Sequence, residues 1–416
     1  MRHFWTTSLL LFSLVLIDRA AGGDWPRFRG PDGSAITDDD KVPTEWSDKK
    51  NLKWKLALPG RGMSSPIVVG NRVFVTCYSG GDGDLSNLKR YLLCADRDKG
   101  TQLWSKTVPA VLPEFRSRGT FGYHGYASST PVSDGERIYV HFGTTGVLAF
   151  DLDGNKVWQQ SVGTGTNAMF GSASSPIIWK DLIIVLAGAE SGSIRAFDRK
   201  TGKVVWNESA ESVSSSYSTP SIVKNKDGAD ELLVMVVNEV WGINPANGKL
   251  KWYATARIDT GACTSLVSAD GIAYAVGGRQ GGRTAIRVGG KDDVTRSNVL
   301  WSKSGGTYVS SPVLHKGHLY WLSQQGVAIC ADAKTGEEVE RKRIGGSYYA
   351  SPVLVKDRLY IVSRYDGTHV LEATPKMTEV AHNKLGDGGD FSGSPAVSNG
   401  QLFLRSDKYL YCIAAQ

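Results

Sequence analysis

The sequence predicts an all-β protein that forms one eight-bladed β-propeller of four-stranded blades. A short phrase, Ser-Ser/Thr-Pro followed by apolar residues, recurs along the 416-residue chain, and the seven intervals between Pro66 and Pro395 average 47 residues. Each phrase leads into runs that alternate apolar and polar residues, as half-buried strands do. Tryptophans return with the same period. Four strands in a repeat of about 40 to 50 residues are typical of a propeller blade.

The repeated phrase occurs eight times, and one copy is degenerate because Leu266 stands where the proline belongs. The copies, in chain order, are Ser64–Val69, Ser128–Val132, Ser174–Ile178, Tyr217–Val223, Thr264–Ser268, Ser310–Leu314, Ala350–Leu354 and Gly393–Val397. One blade for each copy gives the predicted number of eight.

A turn followed by a tryptophan-bearing strand completes most repeats. The clearest copy is AFDRKTGKVVW at Ala196–Trp206, in which a short polar residue and a glycine supply the positive φ angle of a tight hairpin. The periodic tryptophans are Trp54, Trp104, Trp158, Trp206, Trp252 and Trp301. They are expected to pack at one repeated position of the blades.

The two ends of the repeat region predict how the ring closes. After Pro395 the chain has room for only three strands, while one further tryptophan-bearing strand, Asn51–Leu58, stands before the first repeat. Pairing these segments in one blade removes both exposed sheet edges. The alternative, an open β-solenoid, leaves Asn51–Leu58 unexplained.

The N-terminus predicts export. Arg2 and His3 precede an apolar run from Leu9 to Ile17 and a small-residue stretch, the pattern of a secretory signal peptide at residues 1–23. An uncleaved anchor is the alternative, although no apolar run is long enough to span a bilayer. No cysteine stands at the end of the signal region, so no lipoprotein anchor is predicted. We expect a periplasmic or secreted monomer with an extension at residues 24–50 and a propeller at 51–416.

The phrase A-x-D-x-x-T-G-K-x-x-W, best matched by Ala196–Trp206, resembles the repeat of pyrroloquinoline-quinone-type (PQQ-like) β-propellers. That family includes quinoprotein alcohol dehydrogenases and the assembly scaffold BamB. Asp24–Ser34, DWPRFRGPDGS, is similar to a segment of exported planctomycete propellers. The resemblance implies the fold over residues 51–416. The resemblance does not indicate whether a cofactor is bound, because the residues that this chain shares with the family are those that build the blades.

Cysteines and charges exclude several classes of function. The five cysteines lack a Cys-x-x-Cys motif, so neither a redox motif nor a zinc knuckle is predicted, and a disulfide between Cys77 and Cys94 is left open. The net charge of +7 is spread along the chain, which argues against nucleic-acid binding. Asp151–Asn155 and Gly81–Asn87 mimic calcium loops without the distal glutamate. No metal site is predicted.

The residues just before each Ser-Pro phrase are the predicted functional surface, since connections into the innermost strands form one face of the channel. They include Arg61 and an aromatic set whose rings either line a ligand pocket or plug the channel. The candidates in this set are Tyr126, Tyr217, Tyr308, Tyr348 and Phe391.

A longer connection between blades one and two, Pro109–Gly125, adds polar candidates to this face. Its Arg116 and Arg118 can grip a carboxylate or phosphate, and Asp390 is expected to face them across the channel. Glu114 and His124 complete the predicted site.

Three functions fit these residues. We expect a binding or scaffold protein that is not an enzyme, has no bound cofactor, and takes an envelope protein or a small ligand at the channel face. A quinoprotein dehydrogenase with quinone and calcium is the first alternative. The resemblance implies that such enzymes need a calcium site and commonly adjacent cysteines, which are missing here. A carbohydrate or small-ligand binder with hydrolytic activity is the second, with Glu114 and Asp390 as the carboxylate pair.

Overall fold

A computed structural model describes residues 23–116, 124–166, 170–259 and 261–416 of the chain. These residues form a ring of eight antiparallel blades, each with four strands, which confirms the predicted propeller. Residues 1–22 of the predicted signal peptide lie outside the described residues. No helix in the described ranges is long and apolar enough to cross a membrane.

Two strands precede the first blade, and the next sixteen form blades one to four. The two early strands are β1 (Ile36–Thr37) and β2 (Leu52–Ala57). Blade one contains β3 (Ile67–Val69), β4 (Arg72–Ser79), β5 (Lys89–Asp96) and β6 (Gln102–Pro109). Blade two contains β7 (Val132–Ser133), β8 (Arg137–His141), β9 (Val147–Asp151) and β10 (Lys156–Gln160). Blade three contains β11 (Ile177–Trp179), β12 (Leu182–Ala187), β13 (Ser193–Asp198) and β14 (Val204–Ser209). Blade four contains β15 (Ser221–Lys224), β16 (Asp230–Val236), β17 (Glu239–Ile243) and β18 (Leu250–Thr255).

The second half of the ring repeats this order. Blade five contains β19 (Val267–Ala269), β20 (Ile272–Gly277), β21 (Gly282–Arg287) and β23 (Val299–Ser304); the intervening β22 (Asp292–Asp293) pairs with β18. Blade six contains β24 (Val313–His315), β25 (His318–Leu322), β26 (Val327–Asp332) and β27 (Glu338–Arg343). Blade seven contains β28 (Val353–Val355), β29 (Arg358–Val362), β30 (Thr368–Glu372) and β31 (Glu379–Asn383). Blade eight contains β32 (Ala396–Ser398), β33 (Gln401–Arg405) and β34 (Tyr409–Ala414). The short helices are α1 (Gly188–Ser191) and α2 (Thr295–Asn298).

The ring closes where the sequence predicts. Strand β2 pairs antiparallel with β34 and becomes the outermost strand of blade eight, with Trp54 opposite Cys412. One blade therefore contains strands from both ends of the propeller region. This pairing covers the edge of β34 that would otherwise be exposed.

Tryptophans of the outer strands connect neighbouring blades. Trp158 on β10 donates its indole N–H to the carbonyl of Arg199, 3.0 Å away in the β13–β14 turn of the next blade. In that turn Gly202 has φ +74, and a Cβ there would lie 2.7 Å from the ring of Trp158. The glycine is thus required both by its backbone angle and by the tryptophan. The same glycine–tryptophan contact recurs at Gly100–Trp54, Gly154–Trp104, Gly248–Trp206 and Gly336–Trp301.

A closed circle of eight hydrogen bonds surrounds the channel. In each repeat a Ser or Thr stands directly before the proline, or before Leu266 in the degenerate copy. The hydroxyl oxygen of this residue accepts a hydrogen bond of 2.9–3.2 Å from the backbone N–H of the equivalent residue in the preceding blade. We call these buried residues the hydroxyl belt. Its members are Ser65, Thr130, Ser175, Thr219, Ser265, Ser311, Ser351 and Ser394. The last bond, from Ser394 N–H to Ser65 Oγ, completes the circle.

The extension at residues 24–50 packs on the ring beyond the hydroxyl belt. Trp25 exchanges two backbone hydrogen bonds of 2.9 Å with Val68, which follows Ser65 in blade one. Strand β1 pairs in parallel with β28 of blade seven. Between these contacts Phe28 reaches the central cavity. The extension therefore crosses the channel from blade one to blade seven and closes one end of it.

The structure answers the open question about Cys77 and Cys94. Cys77 packs with Val75 and Leu93 on one face of blade one, whereas Cys94 packs with Phe74 on the opposite face. Both are free thiols. A disulfide between them is excluded, because side chains on opposite faces of a sheet cannot meet.

The Gly202→Ala substitution tests the glycine–tryptophan contact. The matched control is Gly228→Ala, because Gly228 has φ +78 but no atom within 4 Å of an added Cβ. The control is expected to lose about 1 kcal/mol through the backbone angle. Gly202→Ala is expected to lose about 1–3 kcal/mol more, because its Cβ collides with Trp158. Equal urea-unfolding midpoints for the two variants would contradict the contact.

Substitutions at Thr130 test the hydroxyl belt. Thr130→Val removes the acceptor of the buried N–H of Ser65 and is expected to lower the free energy of unfolding by about 1–3 kcal/mol. Thr130→Ser keeps the acceptor and is the matched control. Urea unfolding measures both. A valine variant as stable as the serine variant would show that the belt bond contributes nothing.

Candidate functional site

A cavity of about 190 Å³ lies on the channel axis, and all eight blades line it. Each belt residue contributes to its wall, and so does the residue two positions earlier in each repeat. Residues two apart on an extended chain point to the same side, so these sets form two stacked layers. The earlier set, which we call the upper layer, consists of Met63, Ser128, Ala173, Tyr217, Cys263, Val309, Tyr349 and Ser392. We call the whole space the channel cavity.

Four further residues line the two ends of the channel cavity. Phe28 of the extension lies beyond the belt, and three residues lie before the upper layer: His124, Phe170 and Tyr308. Phe170 meets Tyr217 edge-on, with ring centroids 5.5 Å apart. Edge-on packing of this kind is favourable for aromatic rings.

Burial keeps three titratable groups of the channel cavity neutral at physiological pH. Burial lowers the pKa of His124 to about 4 against a smaller opposing contribution from the backbone of Phe170. Burial raises the pKa values of Tyr217 and Cys263 to about 12. The thiol of Cys263 therefore stays protonated and is a poor nucleophile.

A second, charged space adjoins the channel cavity and shares Met63 and His124 with it. This charged mouth has a volume of about 280 Å³. Its ionisable members are Arg61, Asp390, Asp407 and Lys408, together with the phenols of Tyr78 and Tyr365. The charged groups thus lie outside the neutral cavity.

Hydrogen bonds hold Asp390 in place at the charged mouth. Arg364 forms an ion pair with it through two guanidinium nitrogens, and Tyr365 donates its hydroxyl at 3.0 Å. Ser392 donates a third bond at 2.5 Å. The guanidinium also lies over Tyr349, 4.4 Å from the ring centroid. Asp390 therefore anchors Arg364 above the upper layer.

The structure brings five of the predicted site residues to these two spaces. His124, Tyr217 and Tyr308 line the channel cavity, and Arg61 and Asp390 line the charged mouth. Arg61 is bound to Asp82 over 2.6 Å. Arg116 is exposed, and Arg118 lies outside the described residues.

Four predicted residues lie elsewhere. Glu114 is buried in an ion pair with Arg90, and a threonine hydroxyl donates to it at 3.2 Å. Tyr126 packs edge-on against Tyr78. Two further aromatic rings are buried in hydrophobic clusters of the blades, namely those of Tyr348 and Phe391. Tyr348 and Phe391 each precede an upper-layer residue by one position, and their rings pack into the blades instead of the channel cavity.

The sequence of residues 34–169, 86–226 and 227–381 matches the family model described as outer membrane protein assembly factor BamB. The chain belongs to this family. No curated protein matches it. The resemblance to PQQ-like propellers that the repeat predicts is thereby confirmed.

Solved structures share the fold of this family member at low sequence identity. BamB from Moraxella catarrhalis is 13% identical, with a TM-score of 0.63 over 87% of this chain and 96% of that one. A europium-containing methanol dehydrogenase is 12% identical, with a TM-score of 0.65 over 94% of this chain and 98% of that one. A quinohemoprotein alcohol dehydrogenase from Pseudomonas putida HK5 is 9% identical, with a TM-score of 0.61 over 94% of this chain and 80% of that one. At these identities the similarity establishes the fold alone.

The described lining of the channel cavity does not fit pyrroloquinoline quinone with calcium. Calcium takes several oxygen ligands, usually including carboxylates, and the quinone itself carries carboxylates that need cationic partners. The described lining residues include no Asp, Glu, Lys or Arg. The donor set is therefore wrong for both the ion and the quinone.

Sequence reasoning missed Tyr349, Phe28 and the hydroxyl belt. The spacing of the repeat could have identified Tyr349, because Tyr349 stands two positions before its belt residue, as Tyr217 does. Phe28 lies outside the repeats, so periodicity cannot place it. The belt hydroxyls were visible in every copy of the phrase, where they appear as small residues.

The neutral state of His124 predicts a pH dependence of stability. Its folded pKa of about 4 lies below the ordinary value of about 6.5, so the unfolded chain takes up a proton first as the pH falls. The free energy of unfolding should therefore fall between pH 6.5 and 4, by at most about 3 kcal/mol from this group. His124→Gln should remove that part of the slope, and His318→Gln on β25 should keep it. An NMR titration that gives His124 a pKa near 6.5 would contradict the neutral cavity.

Proposed function

We propose that this chain is an exported binding protein whose channel cavity holds a compact, uncharged group. The group belongs to a small ligand or to a side chain of an envelope partner. One observation carries the proposal: two layers contributed by all eight blades surround the axis without a charged side chain among the described lining residues. The signal-peptide pattern at residues 1–23 supports export.

The size and polarity of the channel cavity indicate which group it takes. A cavity of about 150 Å³ in another protein holds one benzene ring, so about 190 Å³ suits a single-ring compound. Tyr217, Tyr308 and Phe170 offer aromatic surfaces. Each belt hydroxyl accepts a backbone hydrogen bond and retains its own proton as a donor. A ring with one hydroxyl or carbonyl group matches this surface.

The charged mouth suits the polar remainder of such a ligand. Arg61, Lys408, Asp390 and Asp407 place both signs of charge where the channel cavity opens. A ligand that is apolar at one end and polar at the other can keep its polar end there. The energetic cost of burying a charge is thereby avoided.

The carboxylates favour binding over hydrolysis. A glycosidase needs two placed carboxyl groups beside its substrate. Glu114 pairs with Arg90 and lines neither the channel cavity nor the charged mouth, whereas Asp390 pairs with Arg364. We therefore assign no catalytic role to this pair.

Calorimetric titration with p-cresol and terephthalate tests the proposal. p-Cresol is expected to bind saturably at one site per chain. Terephthalate should bind at least tenfold more weakly, because it carries a carboxylate at each end of the ring and one of them must enter the channel cavity, where no described lining residue is cationic. Equal affinity for the two compounds, or no binding of p-cresol, would contradict a neutral ligand site.

Two variants at Cys263 control this titration. Cys263→Phe fills the channel cavity and should abolish p-cresol binding, while Cys263→Ala leaves the space open and should retain it.

The dehydrogenase alternative is tested by adding pyrroloquinoline quinone together with calcium. This addition should change neither the absorbance nor the melting temperature of the protein. A saturable rise in melting temperature with quinone would favour the dehydrogenase alternative.

A further inference from the structure

Three potential metal ligands converge on blade seven, outside the channel cavity. One ring nitrogen each from His369 and His382 and a carboxylate oxygen of Asp366 all lie within 4.8 Å of one another. Asp366 lies in the turn between β29 and β30. His369 on β30 and His382 on β31 are direct cross-strand partners. Their rings stack with centroids 3.9 Å apart.

His369 is oriented as a metal-bound histidine is. Its Nδ1 lies 3.0 Å from a carboxylate oxygen of Glu379, and its side chain is only 4% exposed. Its Nε2 is buried and has no hydrogen-bond partner among the described residues. A buried nitrogen without a partner costs free energy unless something binds it. In metal sites a carboxylate commonly holds one ring nitrogen of a histidine while the other nitrogen coordinates the ion.

Asp366 has one carboxylate oxygen that faces the histidines. Lys384 contacts its Oδ1 over 2.8 Å, whereas its Oδ2 lies 4.0 Å from Nε2 of His382. Oδ2 is therefore the oxygen that an ion between Asp366 and the two imidazoles would contact.

We propose that Asp366, His369 and His382 bind one divalent transition-metal ion of the Zn²⁺ type, with Glu379 as the residue that positions His369. Two imidazoles and one carboxylate are ligands that Zn²⁺ accepts, and three protein ligands leave a coordination position open. The side chains of His382 and Asp366 are 30% and 39% exposed, so an ion reaches them from solvent. An ion bound at Nε2 of His382 would take the place of the proton that this nitrogen donates to the Asp366 carbonyl, and the neutral ring would then carry its proton on Nδ1.

The site lies beside the charged mouth. Tyr365, the neighbour of Asp366 in the chain, lines the mouth and donates a hydrogen bond to Asp390. The three ligands therefore lie close to the charged mouth. The metal proposal stands on blade seven alone and does not depend on what the cavity binds.

Titration of untagged, chelator-treated protein with ZnCl₂ tests the proposal, with CoCl₂ as a spectroscopic probe. One Zn²⁺ per chain should bind and raise the melting temperature, and Co²⁺ should give visible absorption bands. CaCl₂ should do neither, because imidazole nitrogen is a poor ligand for Ca²⁺. Absence of one-to-one Zn²⁺ binding would overturn the proposal.

The proposed ligands that are exposed or half-buried can be replaced without disturbing the core, so their variants separate the loss of metal binding from the loss of folding. His382→Gln and Asp366→Asn should each weaken Zn²⁺ binding at least tenfold, and Glu379→Gln should weaken it about 10- to 100-fold through His369. The matched control is His315→Gln, because His315 faces Asp357 over 3.3 Å without a second histidine. Zn²⁺ affinity unchanged in His382→Gln or Asp366→Asn, or lost equally in His315→Gln, would contradict the assigned site.

Discussion

The rest of the structure depends on the closed circle of hydrogen bonds at the hydroxyl belt. Eight innermost strands meet around one axis, and their backbone N–H groups there are buried away from water. A buried N–H without an acceptor is costly, and the hydroxyl of the next blade supplies the acceptor in every case. Each of the eight belt positions holds a Ser or a Thr. This is true even in blade five, where Leu266 replaces the proline that follows the belt residue. The ring of bonds from backbone N–H groups to hydroxyl oxygens thus holds the eight innermost strands around the channel.

The channel cavity follows from this constraint together with the packing outside it. The belt sets one layer of the cavity wall, and residues two positions earlier form the next layer on the same strands. Tryptophans packed against glycine turns connect neighbouring blades further out. The extension adds Phe28 at the far end. A small neutral space bordered by a charged mouth is the result, which is why binding of an uncharged group is the function that this geometry favours.

The periodicity of the sequence predicted the features that repeat from blade to blade. The features that do not repeat depend on where individual side chains lie in the folded chain. The eight blades, the closing strand and the tryptophan contacts were all readable from spacing. The aromatic lining was predicted one residue off at Tyr348, because neighbouring residues on an extended chain point to opposite sides. Glu114 could not be placed, because it lies in the connection after β6 and its partner Arg90 lies 24 positions earlier, on β5. His369 and His382 are thirteen positions apart in the sequence and meet only through the pairing of β30 with β31.

Native-state amide hydrogen exchange at the eight belt positions tests the central claim most directly. If the belt holds the ring together, those amide hydrogens exchange only through global unfolding, at rates that match the most protected strands of the blades. The protection should be uniform from Ser65 to Ser394, including the bond between these two residues that closes the circle. Exchange at belt positions as fast as in exposed surface turns, or protection confined to part of the ring, would contradict the account.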